Sequence, residues 1–206
     1  MSELKDLPKL LLASQSPRRK QILEDLNVPF EVINSPYQEK PEDVADLLPG
    51  EQAAKLAALK AFHASNLYRE GLIIGADTIV VMDRTILGKP KNREDARMML
   101  EMLSGNCHKV ITGLSLVDAK KFVTLSHCEI TKVYFKKIPR RELEYYLASS
   151  EPYDKAGAYA IQGLAGLFVE KIEGCYYNVV GFPILAFGNL LKEAGFDIFD
   201  YIEQGR

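Results

Sequence analysis

What this chain has little of narrows its chemistry first. Cysteine is scarce: Cys107, Cys128 and Cys175 stand far apart, and no two have the close spacing of a zinc or redox motif. Three thiols with no obvious pairing suit a reducing compartment and are expected to pack inside the fold. A surplus of charge is missing as well, since 26 basic side chains meet 28 acidic ones for a net charge of −2. Such a balance exerts no global pull on nucleic acid or on an anionic membrane, so anion recognition has to come from local placement. Long apolar runs are absent too. The longest, over residues 71–82, contains Asp77 and falls far short of the roughly 20 residues a membrane span needs. The opening Met1-Ser2-Glu3-Leu4-Lys5-Asp6 is too charged for a secretory leader, which predicts a soluble, cytoplasmic protein with neither a membrane nor a nucleic-acid polymer as partner. No segment repeats at a period of about 20–50 residues, and no Walker G-x-x-x-x-G-K-[ST] loop occurs. His63, His108 and His127 lack metal-ligand spacing and read as structural.

What is present is a globular composition. The 206 residues are 47% hydrophobic and 26% charged, which suits one domain over residues 1–206 whose core needs no disulfide or metal staple. Local signals predict a strand over residues 9–13, then a helix with Ser16 as N-cap and Pro17 as first helical residue, stopped at Asn27. A second strand is expected over 28–34 and a mobile acidic loop with three prolines over 35–50. A long helix over 51–70 should turn Ala54, Leu56, Ala57, Leu59 and Ala61 inward. A buried strand over 72–82 turns at Asp83-Arg84 into a short return strand at 86–87. Asn92 caps a helix over 93–103, strands over 110–117 and 122–135 form an antiparallel pair, and Pro139 opens a helix to about Ser149. A strand over 167–172 and a last helix over 183–193 complete the chain. Single strands between helices together with a hairpin predict an α/β fold, a mixed sheet with helices on its faces. Two lobes meeting at a cleft can arise within it.

Two stretches stand out chemically. Ser14-Gln15-Ser16-Pro17-Arg18-Arg19 lies between a strand and a helix. Orphan N–H groups, the positive end of the helix dipole and two guanidinium groups all suit an anion with several oxygens. The competing account is a well-capped helix with two solvated arginines. Gly75-Ala76-Asp77-Thr78 sets a carboxylate in an apolar strand, where burial without a partner is costly. Asp77 therefore has to face a cation, a metal or a water-filled cleft, or else cap a turn. Gly75 beside it points to a close backbone approach or a bulge. Glu39, Lys60 and Lys89 are each, taken alone, readable as solvated charges. The run over residues 151–163 gathers acids, a lysine, tyrosines, a glutamine and glycines in a loop setting that favours ligand contact. An anion-binding helix start, isolated carboxylates, lysines and an amide able to read a planar heterocycle fit metal-assisted chemistry on a nucleotide phosphate.

An ordered set of short motifs runs through the chain: A-S-x-S-P-R-R at 13–19, Glu39, Lys60-Ala61, G-A-D-T at 75–78, G-K-P at 88–90, Thr112-Gly113, D-K-A-G-A-Y-x-I-Q-G at 154–163 and N-V-V-G-x-P at 178–183. With that set in that order, nearly end to end, the sequence resembles the Maf family of nucleoside triphosphate pyrophosphatases. The resemblance implies hydrolysis of a nucleoside triphosphate to the monophosphate and pyrophosphate with a divalent cation, Mg²⁺ or Mn²⁺. It also implies an elongated, inosine-triphosphatase-like α/β fold, a twisted mixed sheet flanked by helices with a central cleft between two lobes, and a homodimer. By position, Asp77 looks like the proton acceptor that activates water for attack at the α-phosphorus, and Glu39 with Asp77 like the metal ligands. Ser16, Arg18, Arg19, Lys60 and Lys89 look like the phosphate cradle, and Arg18, Thr78 and Gln162 like the residues that choose the base. The I-Q-G segment resembles the branch acting on dTTP and UTP, and a glutamine amide can meet a carbonyl and the imide N–H of uracil or thymine together. Two alternatives stay open: a pyrophosphatase for 7-methyl-GTP or another modified nucleotide, and a nucleotide-binding regulator of septum formation with weak catalysis.

Overall fold

The computed structural model describes residues 7–204, so the leader reading of Met1 to Asp6 lies outside the described residues. Strand β1 (Leu10–Leu12) is wholly buried and leads through Ser16 into helix α1 (Pro17–Asp25), with Pro17 as its first residue. The chain leaves α1 through Asn27 in a left-handed conformation, φ 53°. Only Glu31–Val32 (β2) of the expected second strand pairs, because Pro29 has no N–H to offer a ladder. The acidic loop that follows holds one 3₁₀ turn, Pro41–Asp43, and is anchored rather than loose. Ser35 Oγ donates to the Lys60 carbonyl at 2.8 Å, the Tyr37 hydroxyl donates to Asp43 at 2.6 Å, and the Tyr37 ring stacks on His63.

Helix α2 (Pro49–Ser65) opens with Pro49 in its first turn and with the Glu51 carboxylate accepting the Leu48 N–H at 2.9 Å. It stops short of residue 70 because Leu67 and Tyr68 bond back only three residues, to Ala64 and Ser65, which tightens the end. Strands β3 (Leu72–Met82) and β4 (Thr85–Leu87) form the expected hairpin. Helix α3 (Arg93–Leu103) is capped by Asn92 Oδ1 accepting the Asp95 N–H at 2.9 Å. Strands β5 (Cys107–Asp118) and β6 (Val123–Phe135) and helix α4 (Arg140–Leu147) follow. Three 3₁₀ turns then lead to β7 (Val169–Glu173). Helix α5 (Tyr176–Val180) is one that no local signal announced. Helix α6 (Ile184–Glu193) is not the last, since α7 (Ile198–Gln204) closes the chain and its buried Tyr201 donates to the Pro8 carbonyl at 3.0 Å.

The strands form one mixed sheet in the order β2-β1-β3-β5-β6-β7, with β4 also on β3. β1 runs parallel to β2 and β3, and every other pair is antiparallel. One face is covered by α2. It lies so close that a Cβ on Gly75 would sit 2.1 Å from the Ala57 carbonyl, and one on Gly113 2.2 Å from the Ala53 carbonyl. Gly75 thus marks a close approach, and the β3–β5 register runs through it without a bulge. The helix face on the sheet is Ala53, Ala57 and Ala61, four residues apart, while Ala54 and Leu59 are only partly buried. The opposite face carries two separate apolar clusters, one under α1 and α6 and one under α3 and α4. Those are the two lobes. The thiols are less interior than expected: Cys107 is exposed, and Cys128 and Cys175 are half-buried.

Candidate active site

The cleft opens where the lobes part. β3 pairs with β5 along its whole length, but on its other edge β1 stops at Ile74 and β4 begins at Val80. Between them Gly75 to Ile79 have no partner strand on that side among the described residues. β1 diverges there into α1, so the cleft lies beyond the carboxyl end of a parallel strand, where α/β sheets commonly bind ligands. Its volume is about 820 Å³, ample for a nucleotide, and its walls include Arg18, Arg19, Lys60, Lys89 and Lys155 against the carboxylates of Glu39, Asp77 and Asp154.

Strand alternation sends Asp77 and Thr78 to opposite faces of β3. Asp77 faces α2 and is nearly buried, and Lys60 meets it there: Lys60 Nζ lies 2.6 Å from Asp77 Oδ1 and 2.6 Å from Glu39 Oε1. The two carboxylates picked out as metal ligands are therefore brought together, and the lysine assigned to the phosphates sits between them. That seat selects positive charge. Two carboxylates and no further protein ligand suit a hard divalent ion that completes its shell with water and substrate phosphate. Among the described residues no group of three or more His, Cys, Asp or Glu side chains is placed to hold a metal without such help.

On the other face of β3, Arg19 is held at three points. Its Nε donates to the Gly181 carbonyl at 2.9 Å, Nη1 to Ser14 Oγ at 3.0 Å and Nη2 to Thr78 Oγ1 at 3.0 Å. Burial and the neighbouring Arg18 lower its pKa to about 10 against the opposing pull of Asp77, so it stays cationic at neutral pH. It is no solvated arginine. Thr78 Oγ1 lies 2.9 Å from Thr112 Oγ1, and Thr112 donates its proton to the Asn178 carbonyl at 3.0 Å, so Thr78 must donate to Thr112. Asn178 is itself pinned, its Nδ2 donating to the Val110 carbonyl and to Thr131 Oγ1 at 2.9 Å each. The proton of Thr78 is thus spent on the interior, which makes this side chain a support for Arg19. Thr112 and Asn178 carried no role in the sequence reading. The signal was available: a threonine inside the apolar strand over 110–117 needs a partner as much as Asp77 does.

Arg18 is half-buried and makes no hydrogen bond or ion pair among the described residues. Ser16 stands at the N-cap, yet its hydroxyl makes no cap, and Pro17 has no N–H. The hydroxyl and the N–H groups of the first turn are left for a ligand. Lys89 is exposed on the turn after β4, with Gly88 O accepting the Gly157 N–H at 3.0 Å, so that turn is tied to the glycine-rich run. Gly157, at φ 68°, fits because a Cβ would press within 3.0 Å of Val80. Gln162 is exposed on the cleft wall with its amide unpaired among the described residues. Lys155, also unassigned from sequence, donates to the Glu151 carbonyl at 2.7 Å and to the Asp154 carboxylate. That bond first, and then Arg18, holds the Asp154 carboxyl below the usual carboxylate range.

The chain is similar to known proteins over most of its length. A family model described as "Maf-like protein" matches residues 9–194. A dTTP/UTP pyrophosphatase of Alkaliphilus metalliredigens (strain QYMF) is 50% identical over 188 residues, 91% of this chain and 96% of the relative. One of Alkaliphilus oremlandii (strain OhILAs) is 47% identical over 193 residues, 93% of this chain and 98% of the relative. A third, of Pelotomaculum thermopropionicum, is 40% identical over 193 residues, 93% of this chain and the whole of the relative.

Proposed function

The chain belongs to the Maf family, and from that premise we propose that it hydrolyses dTTP and UTP to the monophosphate and pyrophosphate. The observation that carries the reading is one cleft holding a carboxylate pair around Lys60, the arginine-bearing start of α1 and the Gln162 amide. The triphosphate lies against Ser16, Arg18, Arg19 and Lys89, whose charge offsets what develops as the α–β bond breaks. Asp77 accepts a proton from water as its oxygen bonds to the α-phosphorus, and pyrophosphate leaves with the bridging oxygen. Glu39 and Asp77 would hold a divalent cation, Mg²⁺ or Mn²⁺, which would supply positive charge to offset that of the leaving pyrophosphate. Lys60, within 2.6 Å of both, holds the two carboxylates in place. Gln162 offers one acceptor and two donors to the imide edge of the base. In the cell we read the protein as a cytoplasmic homodimer of one domain per chain, a state that light scattering of the purified protein checks.

The test is pyrophosphate release from a panel of nucleoside triphosphates, 7-methyl-GTP included, with Mg²⁺ or Mn²⁺. UTP and dTTP should show the highest kcat/KM. Protein that converts no triphosphate to monophosphate, or that prefers 7-methyl-GTP, overturns the reading.

A further inference from the structure

Gln162 reaches the cleft from a short exposed stretch between the buried Tyr159 and Ala165, so its aim depends on how that backbone is held. The anchor is Glu151. Glu151 Oε2 accepts the Leu164 N–H at 3.0 Å and Oε1 accepts the Ala165 N–H at 3.3 Å. These are the orphan donors at the start of the 3₁₀ turn Leu164–Phe168, two residues past Gln162. The buried Tyr146 hydroxyl backs the carboxylate, lying 3.4 Å from Oε1 and 3.2 Å from the Ala158 carbonyl. The backbone carbonyl of the same glutamate receives Lys155 Nζ, so one residue grips the segment near both ends. Gly163 completes the device: at φ 98° it takes a conformation that a side chain resists, and a Cβ there would lie 2.8 Å from Glu151 Oε1.

We propose that Glu151 is a positioning residue for base selection, fixing the backbone from which Gln162 reads the nucleotide. The proposal rests on the reading of Gln162 as the base-recognising amide. Glu151 touches no part of the phosphate cradle, so its loss should blur the choice of base while the chemical step keeps its machinery. Glu151→Gln retains the shape but replaces one acceptor oxygen with an NH₂ group that faces a backbone N–H.

The experiment measures kcat/KM for UTP, CTP and GTP in wild type, Glu151→Gln, Gly163→Ala, Gln162→Ala and the Glu151→Gln/Gln162→Ala double variant. The UTP/CTP and UTP/GTP ratios are unaffected by the fraction of enzyme that is folded, so a merely stabilising role for Glu151 would not move them. Glu151→Gln should lower the preference for UTP about tenfold, through KM more than kcat, as expected when a reading group is displaced by a fraction of an ångström. Gly163→Ala, which pushes the same contact from the other side, should do likewise and decides the matter if Glu151→Gln does not fold. The double variant should fall no further than Gln162→Ala alone, since both act through one amide. Unchanged ratios in Glu151→Gln and Gly163→Ala beside a collapse in Gln162→Ala overturn the proposal and leave the Gln162 reading standing. Additive losses in the double variant overturn it too. An unchanged ratio in Gln162→Ala removes both.

Discussion

Asp77 sits where its charge matters and its shape does little else. Replacing it with asparagine keeps the volume, and Lys60 retains Glu39 as a partner. Asp77→Asn should therefore fold with a melting temperature near that of wild type and still bind UTP, while kcat falls about 100-fold or more, the usual contribution of a general base. Steady-state kinetics with thermal unfolding checks this, and a variant within about tenfold of wild type removes Asp77 from the role of base. A second titratable side chain governs stability instead. His108 is buried against Phe135 and Tyr159, and desolvation lowers its pKa to about 4. The folded state then binds fewer protons than the unfolded one between pH ~6.5 and ~4, so its stabilising effect is full above that window and is lost as pH falls through it. The loss is of order 3 kcal/mol at one pKa unit per ~1.4 kcal/mol. His108→Gln should show a smaller drop in melting temperature than wild type between pH 7 and pH 4.5. Pro17 marked the start of α1 although the Ser16 hydroxyl makes no cap bond, and the Asn92 cap was legible from sequence because its partner, the Asp95 N–H, lies within one turn. The Thr112 bond to Asn178 was not, since its two ends are 66 residues apart and meet only when β5 and α5 pack.

Helix α2 lies on the sheet through a pair of glycines, and that contact sets the distance from Lys60 to Asp77. Gly113→Ala would place a methyl 2.2 Å from the Ala53 carbonyl and 2.5 Å from the Ala54 nitrogen, atoms of a helix backbone that cannot rotate aside. Overpacking of this kind should cost about 3 kcal/mol and lower the melting temperature by roughly 6–12 °C, with activity falling as α2 lifts. Gly88→Ala is the control: a Cβ there meets nothing within 4 Å, and stability should stay within about 0.5 kcal/mol of wild type. Calorimetry of the two variants decides. Leu56, Ala57 and Ala61 are buried as expected, and the same glycines explain why Ala54 and Leu59 are not. Hydrophobic periodicity favours Leu59 for the core, but against a backbone this close only Ala53, Ala57 and Ala61 fit, so the smallest side chains face in. Long elements with strong periods, β3, α3 and the β5–β6 pair, were legible to within a few residues. The short helices α5 and α7 were not, because one or two turns form only when tertiary packing supports them.

Across the whole molecule the two lobes have separate apolar cores, and β3 and β5 run through both, giving Leu72 and Leu114 to one and Val80 and Val110 to the other. A bound nucleotide should bridge them. A non-hydrolysable UTP analogue with Mg²⁺ at 100 times its Kd should raise stability by about 2.7 kcal/mol, or roughly 5–11 °C in melting temperature. EDTA should abolish turnover while leaving the melting temperature of the free protein within about 2 °C, because Lys60 already pairs with both Glu39 and Asp77 without an ion. Thermal scans with and without ligand, metal and chelator test both statements. The mixed sheet could be inferred from the order of strands and helices. The two lobes were implied by the family resemblance and not by local pattern, since their division depends on β1 and β4 sharing one edge of β3.

That shared edge leaves the main-chain groups of Ala76 and Thr78, the residues of the Gly75 to Ile79 stretch that face away from β5, without a strand partner among the described residues. Elsewhere such a row invites sheet-to-sheet association between molecules. Here Thr78 lines the cleft between the lobes, so a ligand bound there would cover part of the row.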